Sequence, residues 1–151
     1  PGPGRLMSVS VKCQYALRAL FELARRRDQG LIRLQDVAEA QEIPHRFLEN
    51  ILNQLRQGGF VESRRGKDGG FVILKPASQI SVFDVVTFID GPLYPVDRGG
   101  ENPVRKCPFQ GNCVFSGLWE EARNSLESVY KGMTLQDLLD ADRQRAGDYV
   151  I

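Results

Sequence analysis

Two cysteines in the C-terminal half, Cys107 and Cys113, have the residue type and spacing to bind a metal or undergo redox chemistry. Cysteine thiolates are ligands of zinc and of iron–sulfur clusters, and two of them separated by five residues supply half of such a ligand set. The other ligands would come from Glu101, from water or from a partner subunit. A thiol switch, another metal and a pair with no redox role stay open as alternatives. Cys13 falls on an apolar helical stripe and is predicted to be a small buried hydrophobic residue.

Side chains that could carry out catalysis are few. The chain has one histidine, His45, and no glycine-rich phosphate loop follows a predicted strand. No serine or cysteine is paired with a base in a recognisable motif. The adjacent carboxylates Glu120 and Glu121 fall on a helix with charged neighbours, which is typical of a solvated surface. The sequence therefore predicts a protein that is not an enzyme.

A cluster of cations, Arg64, Arg65 and Lys67, lies in a glycine-rich segment at residues 64–70. Cations this close together repel one another unless an anion neutralises them, and DNA phosphates or a narrow minor groove can do so. Taken alone, the segment could equally be a solvated turn. The helix that precedes the segment favours the DNA-binding interpretation.

That helix is predicted to have Pro44 in its first turn and to run to about residue 57. Its apolar face is expected to contain Phe47, Leu48, Ile51, Leu52 and Leu55, and its polar face His45, Arg46, Glu49, Asn50 and Asn53. Arginine can pair with guanine, asparagine with adenine, and glutamate can accept from the amino group of cytosine. Any surface helix carries polar residues, so the inference depends on the helix and the cations together. The predicted DNA-contacting residues are Lys12, His45, Arg46, Glu49, Asn50, Arg64, Arg65 and Lys67.

The hydrophobic pattern predicts the elements that position these residues. Apolar residues recur at helical spacing over residues 10–27, 34–38 and 44–57, and Gly58 and Gly59 end the third helix. Two β-type runs, 60–63 and 71–74, flank the cationic segment and predict a hairpin. The fold class is therefore mainly α with a small β-hairpin wing, in the order of a winged helix-turn-helix domain.

The C-terminal half is predicted to join two subunits. A short helix over 80–89, capped by Ser81, leads into a proline-broken loop over 91–112 and then a long helix from Cys113 to about residue 133. The apolar stripe of the long helix has few partners in the sequence and is predicted to pack against a second copy. The predicted dimer interface is Leu118, Ala122, Leu126 and Val129. A last short helix begins at Thr134, in capping-box relation to Asp137, and a frayed tail is expected after it.

The length and the charge distribution are consistent with a DNA-binding N-terminal half and a C-terminal half that joins two subunits. The chain has 151 residues, enough for one hydrophobic core. Its net charge of +1 hides an asymmetry, because residues 1–75 contain 13 Lys and Arg against 8 Asp and Glu, whereas residues 76–151 contain 7 against 11. The basic half favours a polyanionic partner. No segment approaches the roughly 18 apolar residues of a membrane helix, and no export signal precedes Met7, so a cytoplasmic location is predicted.

Four segments are predicted along the chain. Residues 1–7 are a remnant of recombinant expression, and residues 8–80 form the winged helix-turn-helix DNA-binding domain. Residues 81–112 form a linking helix and a cysteine-containing sensor loop. Residues 113–151 form the dimerisation helix and the C-terminal tail.

Three segments in this order resemble one family. VKCQYALRAL (11–20), IPHRFLENIL (43–52) and RGKDGGF (65–71) are similar to the Rrf-type family of winged helix-turn-helix transcriptional regulators, which includes iron–sulfur cluster assembly regulators, nitric-oxide sensors and regulators of cysteine metabolism. The resemblance covers residues 8–141. It implies a homodimer built on the long helix, with two wings and two recognition helices facing a palindromic operator.

Many members of that family hold an iron–sulfur cluster with three cysteines in the loop before the long helix. Here the last two are present at matching spacing and the first is missing, with Glu101 or Asn102 near its place. Ser116 stands where the cluster assembly regulators have a histidine ligand, and Gln14 stands where some relatives donate a carboxylate. The resemblance therefore implies an iron–sulfur cluster with an incomplete ligand set.

These observations predict a dimeric, sequence-specific DNA-binding regulator that acts as a repressor. The regulator's response to a signal is assigned to an iron–sulfur cluster or to the thiol redox state at Cys107 and Cys113. The predicted partners are double-stranded DNA and a second copy of the chain, with no membrane and no enzymatic substrate. Two alternatives stay open: a winged helix used for protein contacts, and a cofactor-free regulator that answers to a small molecule or a partner protein.

Overall fold

The computed structural model describes residues 9–96 and 113–148. Residues 1–7, most of the predicted sensor loop, Glu101 and Cys107 lie outside the described residues. Within the described parts the helices are α1 (Val11–Arg25), α2 (Leu34–Gln41), α3 (His45–Gln57), α4 (Val82–Asp90), α5 (Val114–Lys131) and α6 (Leu135–Asp148), and the strands are β1 (Val61–Arg64) and β2 (Gly70–Ile73). The predicted fold class, mainly α with a small hairpin, is confirmed.

The core is formed where α1 packs against α2, α3 and α4. The Ser10 hydroxyl caps α1 by accepting a hydrogen bond of 3.0 Å from the Cys13 N–H. α2 ends at Glu42, whose positive φ of 51° reverses the chain before Pro44 opens α3. This connection places Ile43 in the core at 3% exposure. The α2–α3 pair is thus a helix-turn-helix unit with α1 packed behind it.

The hairpin is antiparallel, with Val61 opposite Ile73 and Arg64 opposite Gly70. Ile32, just before α2, extends the sheet because its N–H and C=O pair with the C=O and N–H of Phe71, each at 2.8 Å. Gly70 is required for this approach, since a Cβ there would lie 2.5 Å from the carbonyl oxygen of Ile32. The wing is therefore fastened to the helix-turn-helix unit by backbone hydrogen bonds that sequence patterns did not indicate.

The last helix is longer than the sequence predicted. The capping box is as expected, because Thr134 Oγ1 accepts from the Asp137 N–H at 3.1 Å and the Asp137 carboxylate accepts from the Thr134 N–H at 3.0 Å. α6 then continues for 14 residues to Asp148. Leu135 and Leu139 are at most 5% exposed and join the same core as α1. The core therefore contains residues from both sides of residue 80, including a helix expected only as a short element before a tail.

Candidate nucleic-acid interface

Helix α3, the predicted recognition helix, separates its apolar and polar residues, apart from Phe47. Leu48, Ile51, Leu52 and Leu55 are at most 2% exposed and anchor the helix in the core. The predicted contact residues His45, Arg46, Glu49 and Asn50 are all exposed, as is Asn53. At 100° per residue, Arg46, Asn50 and Asn53 lie on the side directly opposite the buried residues, with Glu49 and His45 toward one flank. The helix thus presents a row of donors and acceptors of the kind that reads base edges.

Phe47 corrects one expectation from the sequence. It was assigned to the apolar face of α3, but its side chain is 58% exposed. The helical spacing explains the difference, because Phe47 lies at the edge of the apolar face, about 60° from Asn50 around the helix axis. A binary pattern places every apolar residue inside and cannot mark such a boundary position.

The tip of the wing carries the predicted cations in an open position. Arg64, Arg65 and Lys67 are all exposed. The turn is closed by a hydrogen bond of 3.0 Å from the Gly69 N–H to the Gly66 carbonyl, and Gly66 has a φ of 106°, which favours glycine. The guanidinium of Arg33, at the start of α2, donates to the Lys67 carbonyl at 3.2 Å. The hydrogen bond from Arg33 therefore attaches the cationic tip to the helix-turn-helix unit, in addition to the two strands of the hairpin.

A buried carboxylate braces the turn before the recognition helix. Glu22 in α1 is 1% exposed and accepts hydrogen bonds from the guanidinium groups of Arg25 and Arg26. It also accepts from the Gln41 amide at 2.9 Å, and the Gln41 carbonyl accepts from Arg18. Burial alone would raise the pKa of Glu22, but the hydrogen bonds from Arg25, Gln41 and Arg26 and the charge of Arg25 together lower it below its usual 4.5. Glu22 therefore stays ionised and fixes the end of α2 relative to α1.

The sequence analysis did not identify this network, although a local signal was present. A carboxylate followed by arginines three and four residues later is the spacing of helical ion pairs. The missing information was burial, because Glu22 lies within the helix face that also contains Ala19 and Leu23.

The remaining predicted contact residue, Lys12, is exposed near the start of α1. The structure shows that the eight predicted DNA-contacting residues are exposed, and their roles in DNA contact remain predictions.

The cysteines fall into two environments. Cys13 is fully buried, and burial together with the charge of Asp90 raises the pKa of its thiol to about 12, so it is a neutral core residue at physiological pH. Cys113 is the N-cap of α5, with its Sγ 3.6 Å from Ser116 Oγ. Within residues 9–96 and 113–148 no group of three or more His, Cys, Asp and Glu side chains could hold a metal. The described residues alone therefore do not form a cluster site, and Cys107 and Glu101 lie outside them.

Helix α5 has an apolar stripe and no buried residue. Leu118 and Val129 are 52% and 62% exposed, and Ala122 and Leu126 are half-buried. Phe115, which is 57% exposed, lies on the same face and extends the stripe by one turn. An 18-residue helix with this much exposed apolar surface has the pattern of a helix that packs against another chain.

No helix among the described residues has the length and apolar character needed to cross a membrane.

The winged unit and α5 both fall within the part of the chain that is similar to known proteins. The Rrf2 family, described as an iron-dependent transcriptional regulator, matches residues 9–141. A putative HTH-type transcriptional regulator of Mycobacterium tuberculosis is 37% identical over 133 residues, which is 87% of this chain and 81% of that protein.

Two solved structures share the fold. IscR of T. potens aligns with a TM-score of 0.72 and 30% identity over 90% of this chain and 88% of its own. CymR, the global cysteine regulator of Bacillus subtilis, aligns with a TM-score of 0.72 and 27% identity over 90% of this chain and 98% of its own. These relatives are regulators and not enzymes, which confirms the sequence-based prediction. The chain belongs to the Rrf2 family of helix-turn-helix transcriptional regulators and is a DNA-binding regulator.

Proposed function

We propose that the protein is a homodimeric, sequence-specific transcriptional repressor that binds a palindromic operator in the cytoplasm. The observation that carries this proposal is the exposed polar face of α3, followed directly along the chain by an exposed cationic wing tip. The Phe60 N–H donates to the Leu55 carbonyl at 3.0 Å, which fixes the direction of the chain from α3 into the hairpin. Repression needs only occupancy of an operator that overlaps a promoter, whereas activation needs a further surface for the polymerase.

The wing supplies the first test. Arg65→Ala is expected to weaken operator binding by about 1–3 kcal/mol, because a cation at the tip can reach a base edge or the minor groove. Lys67→Ala is expected to weaken binding to all sequences equally and to flatten the dependence on salt, as the loss of a phosphate contact does. Gel-shift or anisotropy titrations at several salt concentrations measure both effects. Lys75→Ala, an exposed cation beyond β2, is the matched control. Unchanged binding in both wing variants would exclude this role for the wing.

The proposed dimer places two recognition helices on one face of DNA. A C2 dimer formed through α5 would pair half-sites about 34 Å apart, or a multiple of one helical turn. The solved relatives support a regulator that shares this fold over about 90% of the chain. The winged-helix protein-interaction alternative predicts no selective duplex binding, so selection against random duplexes separates it from the present proposal.

We assign the regulatory signal to Cys107 and Cys113, as ligands of an iron–sulfur cluster or as a redox pair. Cys113 is the N-cap residue of α5 and its Sγ lies 3.6 Å from Ser116 Oγ in the first turn, so a change at its sulfur acts on the first turn of the proposed dimer helix. The names of the relatives point the same way, since the family is described as iron-dependent and CymR as a cysteine regulator. Absorbance of anaerobically purified protein tests for a cluster, because clusters colour protein brown or red.

Replacement of both cysteines tests the assignment. The double variant Cys107→Ser and Cys113→Ser should still dimerise and bind the operator, because serine is a favourable N-cap and preserves α5. It should lose any response of DNA binding to iron, oxidant or nitric oxide. Cys13→Ala is the control and should keep the response, since the buried neutral thiol is unreactive. Identical responses of wild type and double variant would exclude the cysteine pair and leave a small molecule or partner protein as the signal.

A further inference from the structure

Phe47 is unlike the other apolar residues of the recognition helix. Its side chain is 58% exposed, whereas the four others are at most 2% exposed. A single exposed aromatic residue is common on protein surfaces and carries no meaning by itself. What distinguishes Phe47 is its place in the first turn of α3 and the way its ring is supported.

The ring of Phe47 is braced from one side by α1. Its centroid lies 6.5 Å from that of Tyr15, with the planes inclined by 41°. Tyr15 packs partly against the core, and the guanidinium carbon of Arg18 lies 5.5 Å from the centre of its ring. Arg18 also donates to the carbonyl of Gln41 at the end of α2. Because these contacts link α1, α2 and α3, they restrict the orientation of the Phe47 ring while leaving much of it in solvent.

The exposed part of the ring lies beside hydrogen-bonding side chains. Phe47 directly follows Arg46 and is three residues before Asn50, and residues three apart are neighbours on a helix surface. Both of these polar residues are exposed. In helix-turn-helix proteins the N-terminal residues of the recognition helix approach the base edges. Phe47 is therefore an apolar surface that borders, next to Asn50, the row that the proposed function assigns to the major groove.

We propose that Phe47 is a specificity-determining residue that contacts the C5-methyl group of a thymine in each operator half-site. The methyl group is the one apolar feature that base pairs display in the major groove, and asparagine is suited to adenine. A phenyl ring beside Asn50 therefore suits a thymine methyl group next to an adenine edge, in one A·T pair or in two adjacent A·T pairs. Arg46 and Arg18, on the same two helices, provide charge complementary to the phosphates. The inference rests on the proposed DNA-binding function and adds one base preference to it.

Deoxyuridine tests this directly, because it removes only the methyl group of thymine and preserves base pairing. A high-affinity duplex is first selected from a random pool with wild-type protein, and each thymine is then replaced in turn. We expect one position per half-site at which the replacement weakens wild-type binding about fourfold, the value of one buried methyl group. Replacement in both half-sites should weaken binding roughly 16-fold. Phe47→Ala should bind the thymine and deoxyuridine duplexes with equal affinity.

The controls separate this role from others. Arg46→Ala should weaken binding to both duplexes and keep their affinity ratio, because it removes a polar contact only. Phe47→Leu should keep part of the ratio. Equal wild-type affinity for every deoxyuridine duplex, or an unchanged ratio in Phe47→Ala, would overturn the inference while leaving DNA binding intact. A shift of Phe47→Ala to monomer in light scattering would also overturn it, by assigning the ring to a subunit interface. Selection of no duplex by wild type would instead reject the proposed function itself.

Discussion

Replacing Leu126 with aspartate is expected to convert the proposed dimer into a 17.0 kDa monomer and to weaken operator binding by about 10²–10⁴-fold. Leu126 lies within the stripe on α5, a helix with no buried residue in the single chain. An unpaired carboxylate in the dimer contact would be desolvated on association, which costs several kcal/mol. A monomer loses the second half-site, and with it the gain from binding two sites at once.

Asn124→Asp provides the matched control for this variant. Asn124 is exposed on the opposite side of α5 from the stripe, so the same charge is added to the same helix away from the contact. Light scattering at micromolar concentration should give a dimer for wild type and for Asn124→Asp. A wild-type monomer under these conditions would refute the α5 dimer. A dimeric Leu126→Asp variant that binds DNA normally would place the interface elsewhere.

Local sequence signals predicted much of the fold. Ser81 caps α4 and Thr134 caps α6 because short polar side chains satisfy backbone donors that have no partner within the helix. The glycine-rich cationic segment forms the tip between β1 and β2 as expected. These features depend on residues within a few positions of one another, so one sequence is enough to find them.

Features that depend on contacts between distant residues were not predicted. The Ile32–Phe71 bridge joins the start of α2 to the wing, and the burial of Leu139 joins α6 to α1. After Leu139 the sequence of α6 is polar, which concealed a helix that local side-chain pairs support, such as Gln136 with Asp140 at 2.9 Å. The candidate site shows the same division. Polar residues of α3 were located from periodicity, whereas the exposure of Phe47 required the packed structure.

Replacing Glu22 with alanine is expected to lower the free energy of unfolding by about 2–3 kcal/mol, because it removes a buried charged acceptor from several donors. The Arg25 and Arg26 side chains are 48% and 24% exposed, so water solvates the charges left without a partner and keeps the cost below the roughly 3–5 kcal/mol of breaking a fully buried pair. For a chain of this size the loss corresponds to a decrease in melting temperature of roughly 5–10 °C. Glu39→Ala, on the exposed surface of α2, is the matched control and should change stability little.

The pH dependence identifies the charge of Glu22 as the cause. Its pKa in the folded protein lies below its usual 4.5, so the ionised form stabilises the fold. That contribution is fully present above the pKa of the unfolded chain and is lost as pH falls through the lower pKa of the folded protein. The stability difference between wild type and Glu22→Gln, measured by urea unfolding, should therefore be largest near pH 7 and shrink below about pH 4.5. A difference that stays constant down to pH 3 would show that packing, and not charge, gives Glu22 its effect. If the network also holds the turn before α3, Glu22→Gln should weaken operator binding at pH 7 under conditions where the variant is fully folded. The amide offers one uncharged acceptor oxygen where the carboxylate offers two, so Gln41, Arg25 and Arg26 can no longer all keep their hydrogen bonds to residue 22.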